Sequence, residues 1–348
     1  MAEVRRVVVL GGTGFFGRAV AGRLGALGLK SITASRRAGA GIRIDAESRA
    51  SLKSALRPFD VVVDAAGPFQ SRGTALVEAA IETGFDVIDL SDSLGYAEKV
   101  ADLRLRIEAA GIRVLTSCSS VSTLSALAIR LSGFEDPARL SVFLLPAARF
   151  TANRGTSRSL LRSVGAPIRV RRDGRLVERA GWSESRTFEM PRGGRVRGFL
   201  CECSDGLLLP LVWPGLWRVD FYVCSGVPLL DSALVLAARS PAVRRLIETL
   251  LPAGLVLSRL IGARTGCLVF EVERHDGSLW SLALAAPADG YFAAVAPAVL
   301  AARAIAQGRF ERRGLVPPDR HVEPQELLDY LQGLGIDVIT TRHGRREG

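Results

Sequence analysis

Along the first third of the chain, apolar residues gather in short strand-like runs at Val7–Leu10, Ser31–Ser35, Asp60–Ala66, Phe85–Leu90 and Ile112–Ser117. Between the runs they recur at helical spacing, at Phe15–Leu27, Glu47–Leu56, Gly73–Thr83 and Tyr96–Ala110. Strands that are apolar on both faces and separated by such helices predict βαβ units. Their right-handed crossovers give a doubly wound parallel sheet buried between two helical layers.

After about Ser122 the pattern changes. Leu140–Leu145 reads as a strand and Gly155–Val164 as a helix. Ile168–Val170 and Leu176–Glu178 flank Asp173-Gly174, and Leu268–Val272 and Leu279–Leu284 flank Asp276-Gly277; both are hairpin signatures. Strands near Arg195–Cys203 and Arg218–Cys224 extend the same sheet, and apolar helices at Leu229–Arg239, Val243–Leu251 and Leu255–Ile261 are long enough to cover a face. The tail reads as helices at Phe292–Gln307 and Pro324–Leu334 and a strand at Asp337–Thr341. The expectation is an α/β chain in three parts. Residues 1–122 form a doubly wound domain, and 123–298 an α+β domain with a mainly antiparallel sheet for substrate and dimer contacts. Residues 299–348 are a helical tail packing back on the first domain.

Composition changes this picture little. The 348 residues carry a net charge of +11, but only three of the 46 basic residues are Lys, so the charge reads first as compositional bias toward Arg. It is concentrated between Arg154 and Arg197, where twelve Arg meet four acids. Nucleic-acid binding is not expected, because that stretch lacks a recognisable module and interleaved aromatics. The five Cys show no CxxC spacing, which argues against a disulfide framework and a metal site. No charge-free stretch reaches the roughly 18 residues a spanning helix requires, and the N-terminal apolar run ends in glycines as a buried strand does. The expectation is a reduced, cytoplasmic protein.

The chemistry starts at Val7-Val8-Val9-Leu10-Gly11-Gly12-Thr13-Gly14-Phe15-Phe16-Gly17. This is a buried strand, a glycine turn and a helix start, the context that makes a glycine motif a dinucleotide fingerprint of a Rossmann domain. Gly11 permits the sharp turn, Gly14 the approach of a pyrophosphate, and Gly17 close packing of helix on strand. Gly11, Thr13, Gly14, Phe15, Phe16 and Gly17 are therefore expected to hold a dinucleotide at the positive end of that helix. The second strand ends in Ser35-Arg36-Arg37 rather than in the Asp or Glu that holds a ribose 2′-hydroxyl. Two guanidiniums and a hydroxyl suit a 2′-phosphate, which favours NADP(H) over NAD(H); solvated loop arginines are the alternative. Asp45 is expected to border the adenine. The Tyr-x-x-x-Lys pair of short-chain dehydrogenases is absent, and the three His are scattered.

Three further segments carry a family resemblance. Asp60–Gln70 ends in Ala-Gly-Pro-Phe-Gln, Asp86–Asp92 in Leu-Ser-Asp, and Val114–Ser120 in Ser-Cys-Ser-Ser. With GGTGFFG these resemble the saccharopine dehydrogenase-like reductases over residues 1–130. The resemblance implies that Ala66, Gly67, Pro68 and Phe69 line the nicotinamide end of the cofactor. It also implies that Gln70, Ser91, Asp92, Cys118 and Ser119 face a substrate. Members that make or cleave saccharopine carry an Asp-Pro-Gly-type stretch where this chain has Ser119-Ser120-Val121-Ser122, which argues against saccharopine itself.

The expected function is hydride transfer between NADPH and a small carbonyl, imine or activated alkene, on a small, possibly anionic substrate. Asp92 is the candidate proton donor, and Arg154 is a candidate clamp for a carboxylate. Two rival readings stay open. One is a non-catalytic cofactor-binding scaffold or redox sensor. The other is a membrane-surface enzyme seated through the apolar Gly206–Trp217 segment, which carries two Trp.

Overall fold

The computed structural model describes residues 4–37, 39–191, 193–286 and 289–343, with backbone alone for Arg154, Asp289 and His343. The chain divides into two compact units. One comprises the residues up to Leu124 with Ala294–Leu327, and the other Ser125–Ala293 with Leu328 onward.

The first unit runs β1 (Val7–Leu10), α1 (Phe15–Ala26), β2 (Ser31–Ser35), β3 (Ile42–Arg43), α2 (Arg49–Ala55), β4 (Val61–Asp64) and α3 (Ala75–Thr83). It continues with β5 (Asp86–Asp89), α4 (Leu94–Ala101), α5 (Arg104–Ala110) and β6 (Arg113–Leu115). All seven strands of its sheet are parallel, in the order β15-β6-β5-β4-β1-β2-β3, the outermost being β15 (Gly314–Leu315). Every residue of β1, β4 and β5 is buried, as a sheet covered on both faces requires. Because β1 pairs with β2 on one side and β4 on the other, successive crossovers reverse direction at β1. That reversal opens a crevice at the carboxyl ends of the strands, where such sheets take ligands.

The expected helix at Tyr96–Ala110 is two helices, because Leu103 N–H turns back to the Val100 carbonyl (3.1 Å) and interrupts the α-helical ladder. β3 and β15, two residues each, are too short to give a period. Helix α12 (Ala296–Ala306) has nine buried residues and returns to this unit.

The second unit contains β7 (Pro137–Leu145), β8 (Pro167–Arg172), β9 (Arg175–Ala180), β10 (Ser185–Glu189), β11 (Arg195–Cys201), β12 (Arg218–Val223), β13 (Gly266–Arg274), β14 (Leu279–Ala286) and β16 (Asp337–His343). The sheet order is β10-β11-β12-β7-β13-β14-β16, with β8 on β12 and β9 on β8. All pairs are antiparallel except β12 with β7. Its helices include α8 (Arg154–Ser163), α10 (Leu230–Arg239) and α11 (Pro241–Ile261). The break expected between Leu251 and Leu255 does not occur: α11 is one helix of 21 residues that carries Pro252 inside it. The tail also divides. Residues to Leu327 stay with the first unit, whereas β16 pairs along β14 in the second, covering an edge that would otherwise expose its backbone groups.

Three arginines of the Arg-rich stretch are neutralised locally. Arg172 pairs with Asp220 and with Glu184 (3.3 Å), Arg179 with Glu184 (3.4 Å) and Arg186 with Glu271. In the Gly206–Trp217 segment Leu208, Leu209 and Leu216 are buried, and the Arg139 guanidinium stands 4.9 Å from the Trp217 ring centroid.

Candidate active site

Five loops of the first unit leave the carboxyl ends of β1, β2, β4, β5 and β6, and they carry all but two of the residues singled out in the sequence; Asp45 follows β3. Arg154 opens α8 in the second unit, and its side chain lies outside the described residues.

The β1 loop is built by backbone crowding. Gly11 sits at φ +72, and a Cβ there would meet the Ala65 carbonyl oxygen at 2.8 Å. A Cβ on Gly17 would lie 2.1 Å from the Gly11 carbonyl oxygen. Gly14 N–H donates to that oxygen (2.7 Å), closing the turn, and Gly12 N–H donates to Ala34 O (3.2 Å), tying the turn to β2. The Arg18 guanidinium holds the Thr13 carbonyl from outside. Gly14 is the N-cap of α1 and supplies no side-chain cap, so the first turn, with Phe15 and Phe16, presents N–H groups with the positive end of the helix dipole. The cradle has room where a side chain would intrude, and it fits the pyrophosphate of a dinucleotide.

At the end of β2, Arg36 and Arg37 are exposed. Ser35 Oγ accepts from the Arg37 N–H (3.1 Å), which holds the two arginines in one turn. Asp45 is half-buried, and its carboxylate accepts from the Glu47 N–H (3.1 Å); it shapes the approach to α2.

The β4 loop is anchored by a pair that sequence reasoning missed. Asp64, fully buried, accepts from Arg72 Nη2 (2.9 Å) and from the Ala66 N–H (2.9 Å). Arg72 Nη1 also donates to Ala66 O (2.7 Å), and its other face meets Glu47. One arginine thus fixes the Ala66-Gly67-Pro68 segment, in which Gly67-Pro68 is cis and exposed. Phe69 turns inward, its ring 5.3 Å from that of Tyr96, because a ring of that size gains more by burial in the core cluster. Gln70 remains exposed and donates through Nε2 to Asp92 Oδ1 (3.2 Å).

At the ends of β5 and β6 the expected substrate residues are mostly inside. Ser91, Cys118 and Ser119 are buried. Ser91 Oγ accepts from the Ser93 N–H (3.1 Å), and Cys118 N–H donates to Asp89 O (2.8 Å). Burial pushes the Cys118 thiol well up, so it is held in the protonated form near neutral pH. Asp92 alone of this group is exposed.

Beneath them lies Asp89, also missed. Its Oδ1 accepts from the N–H groups of Ser91 (3.0 Å) and Ser117 (2.9 Å), joining the two loops. Burial, opposed by these hydrogen bonds, pushes its carboxyl up to about 7. His321 is equally buried. Its Nε2 faces the Val316 carbonyl (3.0 Å), which can only accept, so Nδ1 accepts from the Thr123 hydroxyl (2.8 Å). Burial lowers it to about 4, and it serves as a neutral strut rather than a base.

A pH dependence follows. With a folded pKa raised from about 3.9 to about 7, Asp89 makes the native state bind the extra proton in that interval. Its stabilising effect is complete below pH 4 and is lost as pH rises through 7. Relative to the wild type, Asp89→Asn becomes more stable as pH rises from 4 to 7, by on the order of 3 kcal/mol. Urea denaturation at several pH values measures this; a pH-independent difference contradicts it. His321 acts oppositely, losing stability as pH falls from 6.5 toward 4, and it is common to both proteins.

Comparison with known proteins agrees with this fold. Residues 7–115 match the family model described as saccharopine dehydrogenase NADP binding domain. No curated protein matches the chain. Among solved structures, apo saccharopine dehydrogenase (L-Glu forming) from Saccharomyces cerevisiae is 15% identical with a TM-score of 0.62, over 98% of this chain and 100% of that one. The WlbA dehydrogenase of Thermus thermophilus, solved with NAD and alpha-ketoglutarate, is 12% identical with a TM-score of 0.42, over 95% of both chains.

Proposed function

From an N-terminal region that matches the saccharopine dehydrogenase NADP binding domain over residues 7–115, we propose that this chain is an oxidoreductase whose cofactor is NADPH and whose substrate is a small carbonyl, imine or activated alkene. The observation that carries the reading is the glycine turn at the β1–β4 crevice with two exposed arginines, and no acid, at the end of β2. The bound nicotinamide supplies the hydride; the chain's own residues bind, orient and shield.

The α1 N-terminus and the Gly11–Gly14 turn hold the pyrophosphate, and Arg36 with Arg37 holds the 2′-phosphate. The Ala66-Gly67-Pro68 segment, fixed from below by Arg72, forms the wall at the nicotinamide end. Rigidity there matters, because orientation supplies most of the rate in such a reaction. Asp92 is the proton donor: it is exposed, it sits on the loop after β5, and Gln70 fixes its carboxyl through Oδ1. Donation from Asp92 neutralises the oxygen or nitrogen that gains charge in the reduction.

The test is NADPH oxidation against oxo acids with and without amino acids, and against enals. Turnover with one class and at least a roughly hundred-fold loss in Asp92→Asn, with NADPH affinity kept, are expected. Tight NADPH binding with no turnover on any of these substrates overturns the catalytic reading in favour of a binding scaffold.

A further inference from the structure

The second unit exposes an apolar surface that its own packing does not account for. On α11, Leu246, Leu250, Val256, Leu257, Leu260 and Ile261 are between 47% and 62% exposed. At 3.6 residues per turn, the leucines and Ile261 fall within an arc of about 100°. An adjoining side of the helix, centred roughly 90° around from the stripe, does the internal work: Val243, Ile247 and Leu251 pack against the cluster of Leu161, Val164, Trp182 and Phe199. The helix therefore carries two apolar faces, and the fold uses one. Leu229 and Leu236, at the start of α10 and on it, are exposed too, the former at 86%.

Charge selects the occupant. Helices α10 and α11 carry Arg239, Arg244, Arg245 and Arg259 against Asp231 and Glu248, and α8, packed on α11, adds Arg158 and Arg162 with no acid. Arg245 and Arg259 lie together on the side of the helix away from the buried face, about 110° and 150° from the centre of the exposed stripe. A second copy docking through this face would bring the same cations toward one another, whereas an anionic surface neutralises them. Among the described residues no helix is long and apolar enough to cross a membrane, so a lipid contact here lies in the plane of the surface.

We propose that α10 and α11 seat the protein on the surface of an anionic lipid bilayer. The α11 leucines and Ile261 enter the boundary between headgroups and acyl chains, and Arg245 and Arg259 reach the lipid phosphates along their aliphatic stems. The apolar face supplies affinity. The arginines supply preference for anionic lipid, which salt screens. The surface is not the Gly206–Trp217 segment that the sequence suggested, since most of its leucines are in the core. The lipid-seating face stands independently of the cofactor reading.

Flotation of the full chain with vesicles of phosphatidylcholine, alone or mixed with phosphatidylglycerol, tests this. Recovery with the mixed vesicles is expected to exceed that with phosphatidylcholine by about ten-fold and to fall at high salt. Leu250→Glu with Leu257→Glu is expected to abolish it with the far-UV circular dichroism unchanged. Arg245→Glu with Arg259→Glu, which leaves the apolar stripe intact, is expected to erase the preference for phosphatidylglycerol. Absence from both lipid fractions overturns the proposal, as does equal recovery with the two vesicles. A dimer in solution that Leu257→Glu dissociates, without flotation, gives the face to a second copy and also overturns it.

Discussion

Replacing Gly17 with valine is expected to abolish nucleotide binding, lowering NADPH affinity by more than about 100-fold, or roughly 3 kcal/mol. The Cβ would stand 2.1 Å from the Gly11 carbonyl oxygen and 2.8 Å from Gly12 Cα. Both are backbone atoms, so no rotamer relieves the clash and α1 must move off β1. The same Gly11 oxygen accepts the Gly14 N–H that closes the turn, so the displacement takes the pyrophosphate cradle with it. Gly22→Ala is the control. It lies on the same helix with nothing within 4 Å of its added Cβ, and it should bind NADPH as the wild type does. Calorimetric titration reads both variants, and normal binding by Gly17→Val would refute the placement of the cofactor.

Arg72→Met is expected to cost about 3–5 kcal/mol of stability, the range for removing one partner of a buried ion pair. Asp64 is 0% exposed and Arg72 is its cation, so the variant leaves a carboxylate in the core without compensation. The Ala66 carbonyl also loses its donor, and NADPH affinity should fall with the loosened Ala66-Gly67-Pro68 wall. Adding Asp64→Asn to Arg72→Met should recover a large part of the stability, because the uncompensated charge is gone while the amide oxygen can still accept from the Ala66 N–H. Urea denaturation of the three proteins measures this. A cost below about 1 kcal/mol for the single variant, or no recovery in the double, would contradict it.

The parallel sheet was legible because β1, β4 and the middle of β5 place apolar residues at consecutive positions, and a parallel sheet covered on both faces leaves that signature. The glycine turn was legible for a related reason: the spacing of Gly11, Gly14 and Gly17 reports close approaches that the structure contains. What the sequence hid are contacts made across strands. Asp64 and Asp89 each end an otherwise apolar run, and a carboxylate at the buried end of a strand demands a partner. Nothing local identifies that partner as Arg72, eight residues on, or as the Ser117 N–H in the loop after β6. His321 likewise depends on Thr123, 198 residues earlier. Side-chain direction was the other gap. Residues at strand ends were expected to face ligand, but Phe69, Ser91 and Cys118 point inward, because alternate positions of a strand-end loop serve the core. In α11 the pattern suggested two helices around Pro252, yet helical spacing continues through it.

The measurement that bears most directly on the central claim is calorimetric titration of the wild type with NADPH and with NADH, repeated on Arg36→Ala with Arg37→Ala. Two guanidiniums on a 2′-phosphate predict NADPH at least about ten-fold tighter than NADH in the wild type. They also predict that the double variant loses this difference through weaker NADPH binding, with NADH affinity unchanged. Equal affinities in the wild type, or binding of neither nucleotide, would contradict it.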